Sequence, residues 1–310
     1  MDSRGHFSGP LMRSPMPVAM TQASPDPSAQ AQAGSVSVRH LLAGFSIEAT
    51  PKQVERTGSL AALLPEGTGV YVPFLPGADM RDCIAACSKL KRLAFRPVPH
   101  VAARALGSRE KLAAHLGRLE DEGVTSLLLI AGDCARPAGP FTSTLDVFDS
   151  GLLQRYGFRN IGVAGHPEGH PVAGRDALTD ALRRKARYAL ETESTMWIVT
   201  QFAFSVEPVI RWLDALRADE IRLPVRVGLP GPARVQTLLR YATQCGIGAS
   251  SRMLARRPGS VVRLLGRWTP DELLRKLAQH TRAQPNALAG IHVFPFGGLT
   301  QSIDHLTNHG

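Results

Sequence analysis

The sequence predicts an α/β protein, a single (β/α)8 TIM barrel with a disordered N-terminal tail. Strand-like and helix-like segments alternate from Leu42 onward, a pattern that produces a parallel sheet with helical crossovers. The segment Val124–Asp133 is a continuous apolar run that stops at a Gly-Asp pair, as expected of a buried parallel strand. No GxGxxG motif follows the first strand, which argues against a doubly wound sheet. A barrel of about 250 residues plus a tail accounts for the 310-residue chain.

The first 35 residues differ in composition from the rest. Residues 1–35 are rich in Pro, Ser, Gln, Ala and Gly and have no sustained apolar core of the kind that a secretory signal needs. We therefore predict a disordered tail over 1–35 and one catalytic domain over 36–310.

Charge and cysteine content restrict the partners. The net charge of +10 comes from basic residues spread along the chain, without the interleaved aromatic residues of a single-strand binder. The four cysteines form neither a disulfide framework nor a CxxC pair, and no apolar run reaches the roughly 18 residues of a membrane span. We expect a cytoplasmic protein that binds an anionic small molecule, neither nucleic acid nor membrane, with a homo-oligomer left open.

The predicted elements follow from apolar periodicity and turn residues. The eight strands are Gly44–Glu48, Val70–Phe74, Leu93–Val98, Thr125–Ala131, Asn160–Ala164, Trp197–Phe202, Pro224–Gly228 and Gly290–Pro295. The helices are Asp79–Arg92, Ser108–Glu122, Leu145–Tyr156, Asp176–Thr192, Glu207–Asp219, Pro232–Cys245 and Thr269–Thr281, and Ile247–Arg267 is interpreted as loop and short helix.

Polar residues follow several of these strands. In barrels the active site lies at the carboxyl ends of the strands, so we expect these side chains to meet at one rim. Asp133 also fits a plain helix N-cap, and that alternative stays open. The rim candidates are Glu48, His100, Asp133, the segment His166–Pro171, the segment Thr200–Phe202, and Gln236 beyond Leu229–Pro232.

Other chemistries fit less well. His166 and His170 have an i, i+4 spacing, but Pro167, Gly169 and Pro171 prevent the regular helix of such zinc sites, so we predict no metal. No GxSxG elbow follows a strand, and 6% aromatic residues are few for a glycosidase. The run Arg183-Arg184-Lys185 fits either a solvated helix face or a phosphate clamp.

Six motifs in order resemble the methylenetetrahydrofolate reductase family, over about residues 44 to 300. The motifs are Ser46-Ile47-Glu48 with Pro51-Lys52, Pro99-His100, Gly132-Asp133, Gly162-Val163-Ala164 with His166–Pro171, Arg184-Lys185, and Thr200–Phe204 with Val206-Glu207. The resemblance implies a flavin-dependent barrel that uses NAD(P)H and FAD to reduce 5,10-methylenetetrahydrofolate to 5-methyltetrahydrofolate.

The resemblance also implies residue roles. Glu48 would be the acid that protonates the folate amine, and Asp133 would lie close to the flavin and folate rings. Gln201 and Gln236 would bind the pterin. The implied flavin-binding residues are His100, Gly132, Asp133, His166, His170, Arg184 and Lys185, the last two at the pyrophosphate.

This chain departs from the family pattern mainly where the flavin is expected. Ala131 replaces an Arg, His166 replaces a Tyr, and Leu178 and Ala181 replace polar residues. The last strand ends in Pro295–Gly298, where the family often has Y-T-L-N-R. An alternative is therefore a diverged folate barrel of C1-unit or methyl-group catabolism with weak or no flavin binding.

Overall fold

The computed structural model describes residues 38–56, 60–75, 77, 79–245, 266–283 and 288–308. The predicted tail over 1–35 and the part of the Ile247–Arg267 interpretation that covers 247–265 lie outside the described residues.

Eight parallel strands close into a barrel, which confirms the predicted fold class. They are β1 (Ser46–Glu48), β2 (Gly69–Val72), β3 (Arg96–Ala102), β4 (Ser126–Ile130), β5 (Asn160–Gly165), β6 (Thr195–Thr200), β7 (Val225–Pro230) and β10 (Gly290–Phe294). Around the barrel they follow the order β1, β10, β7, β6, β5, β4, β3, β2.

A small antiparallel ribbon joins β8 (Ala233–Arg234) to β9 (Arg267–Trp268).

The helices surround the barrel. Those whose full bounds are described are α1 (Pro51–Arg56), α2 (Leu60–Leu63), α3 (Met80–Arg92), α4 (Arg109–Asp121), α5 (Thr144–Asp149), α6 (Leu152–Arg155), α7 (Arg175–Glu191), α8 (Val206–Ala218), α9 (Val235–Gln244), α10 (Asp271–Ala283) and α11 (Leu299–Thr307).

The predicted bounds of the third strand are wrong. Leu93 caps α3, and Ala94 adopts a left-handed φ of 59°, so the strand starts only at Arg96 and runs to Ala102. His100 is consequently a strand residue facing the barrel interior, not a loop residue after the strand. The sixth strand also ends two residues early, which leaves Gln201 in the loop.

The predicted helix Leu145–Tyr156 is two short helices. Gly151, with a φ of 70°, separates α5 from α6, because a left-handed residue cannot continue a right-handed helix. The predicted start of α4 is confirmed, since the Ser108 hydroxyl accepts the amide N–H of Lys111 at 3.2 Å.

Side chains alternate between the two faces of the barrel wall. Outward residues such as Ile47, Val101 and Leu127 are at most 2% exposed and pack under the helices. Inward residues Tyr71 and Leu128 belong to a separate interior cluster that fills the barrel. No helix in the described ranges is both long enough and apolar enough to cross a membrane.

Candidate active site

Glu48, the last residue of β1, lies between two histidines. Its Oε1 atom is 3.6 Å from Nε2 of His100 on β3 and 3.7 Å from Nε2 of His292 on β10. The Glu48 side chain is 17% exposed, and the His100 and His292 side chains are 8% and 0% exposed. These distances slightly exceed normal hydrogen bonds, and neither Nε2 atom has a hydrogen-bond partner among the described residues.

A second set of contacts holds His292 in place. Ser46 Oγ lies 3.0 Å from His292 Nδ1, because Ser46 and His292 are register partners on adjacent strands. The Tyr71 ring packs on the imidazole of His292 at a centroid distance of 4.4 Å. The Tyr71 hydroxyl in turn accepts the indole N–H of Trp197 at 2.8 Å. The imidazole is therefore fixed from β1, β2 and β6 together.

Burial controls the protonation of this group. It raises the pKa of Glu48 above its ordinary value, and the nearby His100 only partly opposes that shift. Burial lowers the pKa of His100 to about 4 and that of His292 to about 3. It also raises the pKa of Tyr71 to about 12. The pocket therefore favours a carboxylic acid that holds its proton between two neutral imidazoles.

The loop after β4 carries Gly132 and Asp133. Gly132 has a φ of 86°, and a Cβ there would lie 3.0 Å from the Cβ of Ala102, so glycine is needed. Asp133 is exposed in this loop. The Arg104 guanidinium holds the loop by donating to the carbonyl oxygens of Cys134 at 2.8 Å and Ala135 at 2.7 Å.

The loop after β5 contains the two predicted histidines. His166 and His170 meet edge to face, with ring centroids 5.0 Å apart. His170 Nδ1 accepts the amide N–H groups of Val172 and Ala173 at 3.2 and 3.1 Å, which makes His170 a brace for the loop. The described residues contain no group of three or more His, Cys, Asp or Glu side chains placed to hold a metal ion.

The basic run on α7 is divided between two faces. Arg183 pairs with Asp180 and Asp219, and Arg184 Nη2 lies 3.1 Å from Asp149 Oδ2. Lys185 is only 7% exposed, on the helix face that also buries Leu182 and Ala189. In the structure the run is thus a solvated, ion-paired face at Arg183 and Arg184 and a buried cation at Lys185.

Lys185 fits the phosphate end of a flavin nucleotide. No carboxylate in the described chain lies within ion-pair distance of its ammonium group, and burial lowers its pKa to about 8. Burial lowers the pKa of His166 to about 4, and the nearby His170 and Lys185 charges add to that shift. An unpaired buried cation is costly, and a bound oxyanion would remove that cost. Arg184 has a side chain 54% exposed and already paired, so it fits this role less well.

The predicted pterin contacts come from the segments that follow β6 and β7. Gln201 follows β6 and is half-buried, with its Oε1 accepting the amide N–H of Phe202 at 3.2 Å. Gln236 is exposed on the first turn of α9. Between them lies an aromatic cluster in which Phe202 packs on Phe294 and Phe296 at centroid distances of 5.5 and 4.8 Å.

Two residues of this site were missed by the sequence reasoning. His292 could have been found, because side chains alternate between the two faces of a strand and His292 is at an inward position of the strand Gly290–Phe294. Arg104 left no signal, since its role is to bind backbone carbonyl oxygens of a loop about 30 residues further along the chain.

The chain matches the model of a known protein family. The family model described as methylenetetrahydrofolate reductase matches residues 54–257, which is more than half of the chain. The 5,10-methylenetetrahydrofolate reductase of Pectobacterium carotovorum subsp. carotovorum is 27% identical over 141 residues, covering 45% of this chain and 45% of that protein. Methylenetetrahydrofolate reductase 1 of Schizosaccharomyces pombe is 28% identical over 147 residues, covering 45% of this chain and 24% of that protein. The aligned region thus spans less than half the length of each curated relative.

A solved structure shares the fold over nearly the whole chain. It is an uncharacterized protein from Clostridium thermocellum that binds two copies of 5-methyl-5,6,7,8-tetrahydrofolic acid. The TM-score is 0.55 at 12% identity, covering 88% of this chain and 97% of that chain. From the extent of the family match, the chain belongs to the methylenetetrahydrofolate reductase family.

Proposed function

We propose that this protein reduces 5,10-methylenetetrahydrofolate to 5-methyltetrahydrofolate with NAD(P)H and FAD, using Glu48 as the acid. The observation that carries the proposal is the buried Glu48 carboxyl at the carboxyl end of a barrel strand, between His100 and His292. A general acid needs a pKa close to the working pH, and burial moves Glu48 in that direction.

The neutral histidines determine where the proton resides. Neither His100 nor His292 competes for it near neutral pH, because burial keeps the pKa of each imidazole low. The Glu48 carboxyl then donates to a folate amine, which opens the methylene bridge to an iminium. His292 and Ser46 hold the carboxyl's surroundings fixed during this step, and Gln201 orients the pterin from the loop after β6.

Fewer residues support the proposed binding of FAD. A bound FAD would supply the hydride, and Lys185 is the residue best suited to its pyrophosphate, with His166, His170 and Gly132 as the further flavin contacts that the family resemblance implies. Because Ala131, Leu178 and Ala181 cannot provide the polar contacts expected of the family, we propose that FAD binds more loosely than is usual. Each missing hydrogen bond to a charged group costs about 1.5–3 kcal/mol of binding free energy.

A specific observation favours a second candidate function. Arg184 is paired with Asp149, and Asp133 is exposed rather than held in a pocket. This arrangement suits a diverged folate barrel that serves C1-unit or methyl-group catabolism with weak or no flavin.

Flavin binding separates the two candidates. The purified protein should absorb at about 450 nm when FAD is bound. Titration of apo protein with FAD, followed by flavin fluorescence, should show saturation at roughly micromolar concentration. No binding at 100-fold higher concentration, together with measurable affinity for a reduced folate, would favour the second candidate.

A further inference from the structure

A cavity of about 680 Å³ lies beside the barrel mouth, between the β8–β9 ribbon and the turn that follows β10. This volume is within the usual range of small-molecule sites. Its walls include Arg234, Arg267, Gln236, Phe296 and Gln301, and no acidic residue lines it among the described residues.

The two arginines lie opposite each other in the ribbon. Arg234 and Arg267 are register partners in the antiparallel ribbon, so their side chains leave the ribbon on the same face. Like charges opposite each other destabilise such a pair. In the part of the chain that the structure describes, neither guanidinium has a carboxylate within 4.0 Å. An oxyanion between them would relieve the repulsion and accept bidentate hydrogen bonds.

Aromatic rings connect this cavity to Glu48. The His292 ring beside Glu48 packs on Phe294 at 4.8 Å, and Phe294 packs on Phe296 at 5.7 Å. Phe296 also stacks on Tyr241 at 4.2 Å and forms part of the cavity wall. A ligand with its reactive ring at Glu48 would therefore pass a series of aromatic rings before it reaches the arginines.

We propose that Arg234 and Arg267 form an oxyanion subsite for the carboxylates at the far end of the folate substrate. The inference rests on the proposed function, because a folate has a pterin ring, an aromatic linker and a terminal glutamate in that order. Additional glutamate residues would extend the ligand along the ribbon and add further carboxylates for the two guanidinium groups. The uncharged Gln301, also in the cavity wall, offers its amide group to the same carboxylates.

Binding of a ligand fragment tests the subsite independently of turnover. p-Aminobenzoyl-triglutamate, which lacks the pterin, should bind the full-length protein, and affinity should fall about tenfold in Arg234→Gln or Arg267→Gln and further in the double variant. Arg222→Gln, which removes the same charge from the loop before β7 at the opposite end of the barrel, should leave the affinity unchanged.

A parallel measurement tests whether the two arginines bind folate carboxylates or the phosphates of NADPH. NADPH carries phosphates in place of carboxylates, and its apparent affinity should change less than threefold in the double variant. Loss of NADPH affinity with unchanged p-aminobenzoyl-triglutamate binding would overturn the proposal, as would absence of fragment binding to the wild-type protein. If the fragment binds through both arginines but the protein does not reduce methylenetetrahydrofolate, the proposed function fails and the subsite stands.

Discussion

The two halves of the barrel rim are built differently. On the side of β1, β2, β3 and β10, Glu48, His100 and His292 are buried and fixed by contacts that cross several strands. On the side of β4 and β5, Asp133 is exposed and Arg184 is paired with a surface aspartate. Lys185 is the buried charged residue there. The comparison shows that the candidate acid is held by several buried neighbours, whereas the side proposed for the cofactor offers few buried polar side chains.

Removing the acid should have the largest effect. We expect Glu48→Gln to lower folate turnover by about 10²-fold or more, the usual scale for loss of a general acid, while the protein stays folded. Steady-state kinetics and circular dichroism measure the two quantities. Unchanged turnover would remove Glu48 from the mechanism and with it the contrast between the two halves.

Altering the histidine behind the acid should have a smaller effect. His292→Phe keeps an aromatic ring against Tyr71 but removes both nitrogens near Glu48 and Ser46. We expect kcat to fall about tenfold, with a shifted pH dependence and little change in KM, because His292 positions the acid and does not bind the folate. A parallel loss in KM and kcat without a shift in the pH profile would indicate a structural role only.

The flavin side can be tested with two neighbouring residues. We expect Lys185→Gln to weaken FAD binding about tenfold, because it removes the buried unpaired cation. Arg184→Gln is the matched control, and it should change FAD affinity less than threefold because the Arg184 side chain is exposed and bound to Asp149. Equal losses in the two variants, measured by fluorescence titration, would show that Arg184 turns toward the flavin on binding.

The buried histidines should make the folded protein sensitive to acid. A folded-state pKa of about 4 for His100 lies below the ordinary value of 6.5, so stability is present above pH 6.5 and is lost as the pH falls toward 4. Protonation of His100 in the unfolded state therefore lowers the free energy of unfolding by about 3 kcal/mol over this pH range. Glu48 acts in the opposite direction, since its raised pKa removes stability as the pH rises.

Denaturant unfolding at several pH values measures both contributions. The His292→Phe variant should lose less stability than the wild type on acidification, whereas His40→Asn, at an exposed histidine, should follow the wild type. Glu48→Gln should gain stability relative to the wild type near neutral pH and not at pH about 4. Identical pH profiles in all four proteins would contradict the assigned protonation states.

Removing the tail should have the smallest effect. Residues 1–35 lie outside both halves of the rim in the predicted organisation, and their composition cannot bury enough apolar surface to fold alone. We expect their deletion to leave the melting temperature and turnover nearly unchanged. A large drop in either would mean that this segment docks on the barrel.

The sequence by itself determined the fold class and singled out Glu48 as the candidate acid. Eight apolar strands alternating with helices, without a glycine-rich first turn, favour a closed parallel barrel, and the alternation along β1 places Glu48 inward beside Ser46. The sequence did not determine where each strand and helix begins and ends. At the third strand, the apolar residues Leu93 and Phe95 fit the start of a strand and the end of a helix equally well.

Only the tertiary structure decided how the charges are partnered. His292 reaches Glu48 from a strand more than 240 residues away in sequence, and Arg234 meets Arg267 through ribbon pairing. The adjacent residues Arg184 and Lys185 look equivalent in the sequence. Successive residues of a helix point in different directions, so Arg184 pairs with Asp149 while Lys185 is buried. Local patterns report which face a residue occupies, whereas burial and ion pairing depend on what the rest of the fold brings to that face.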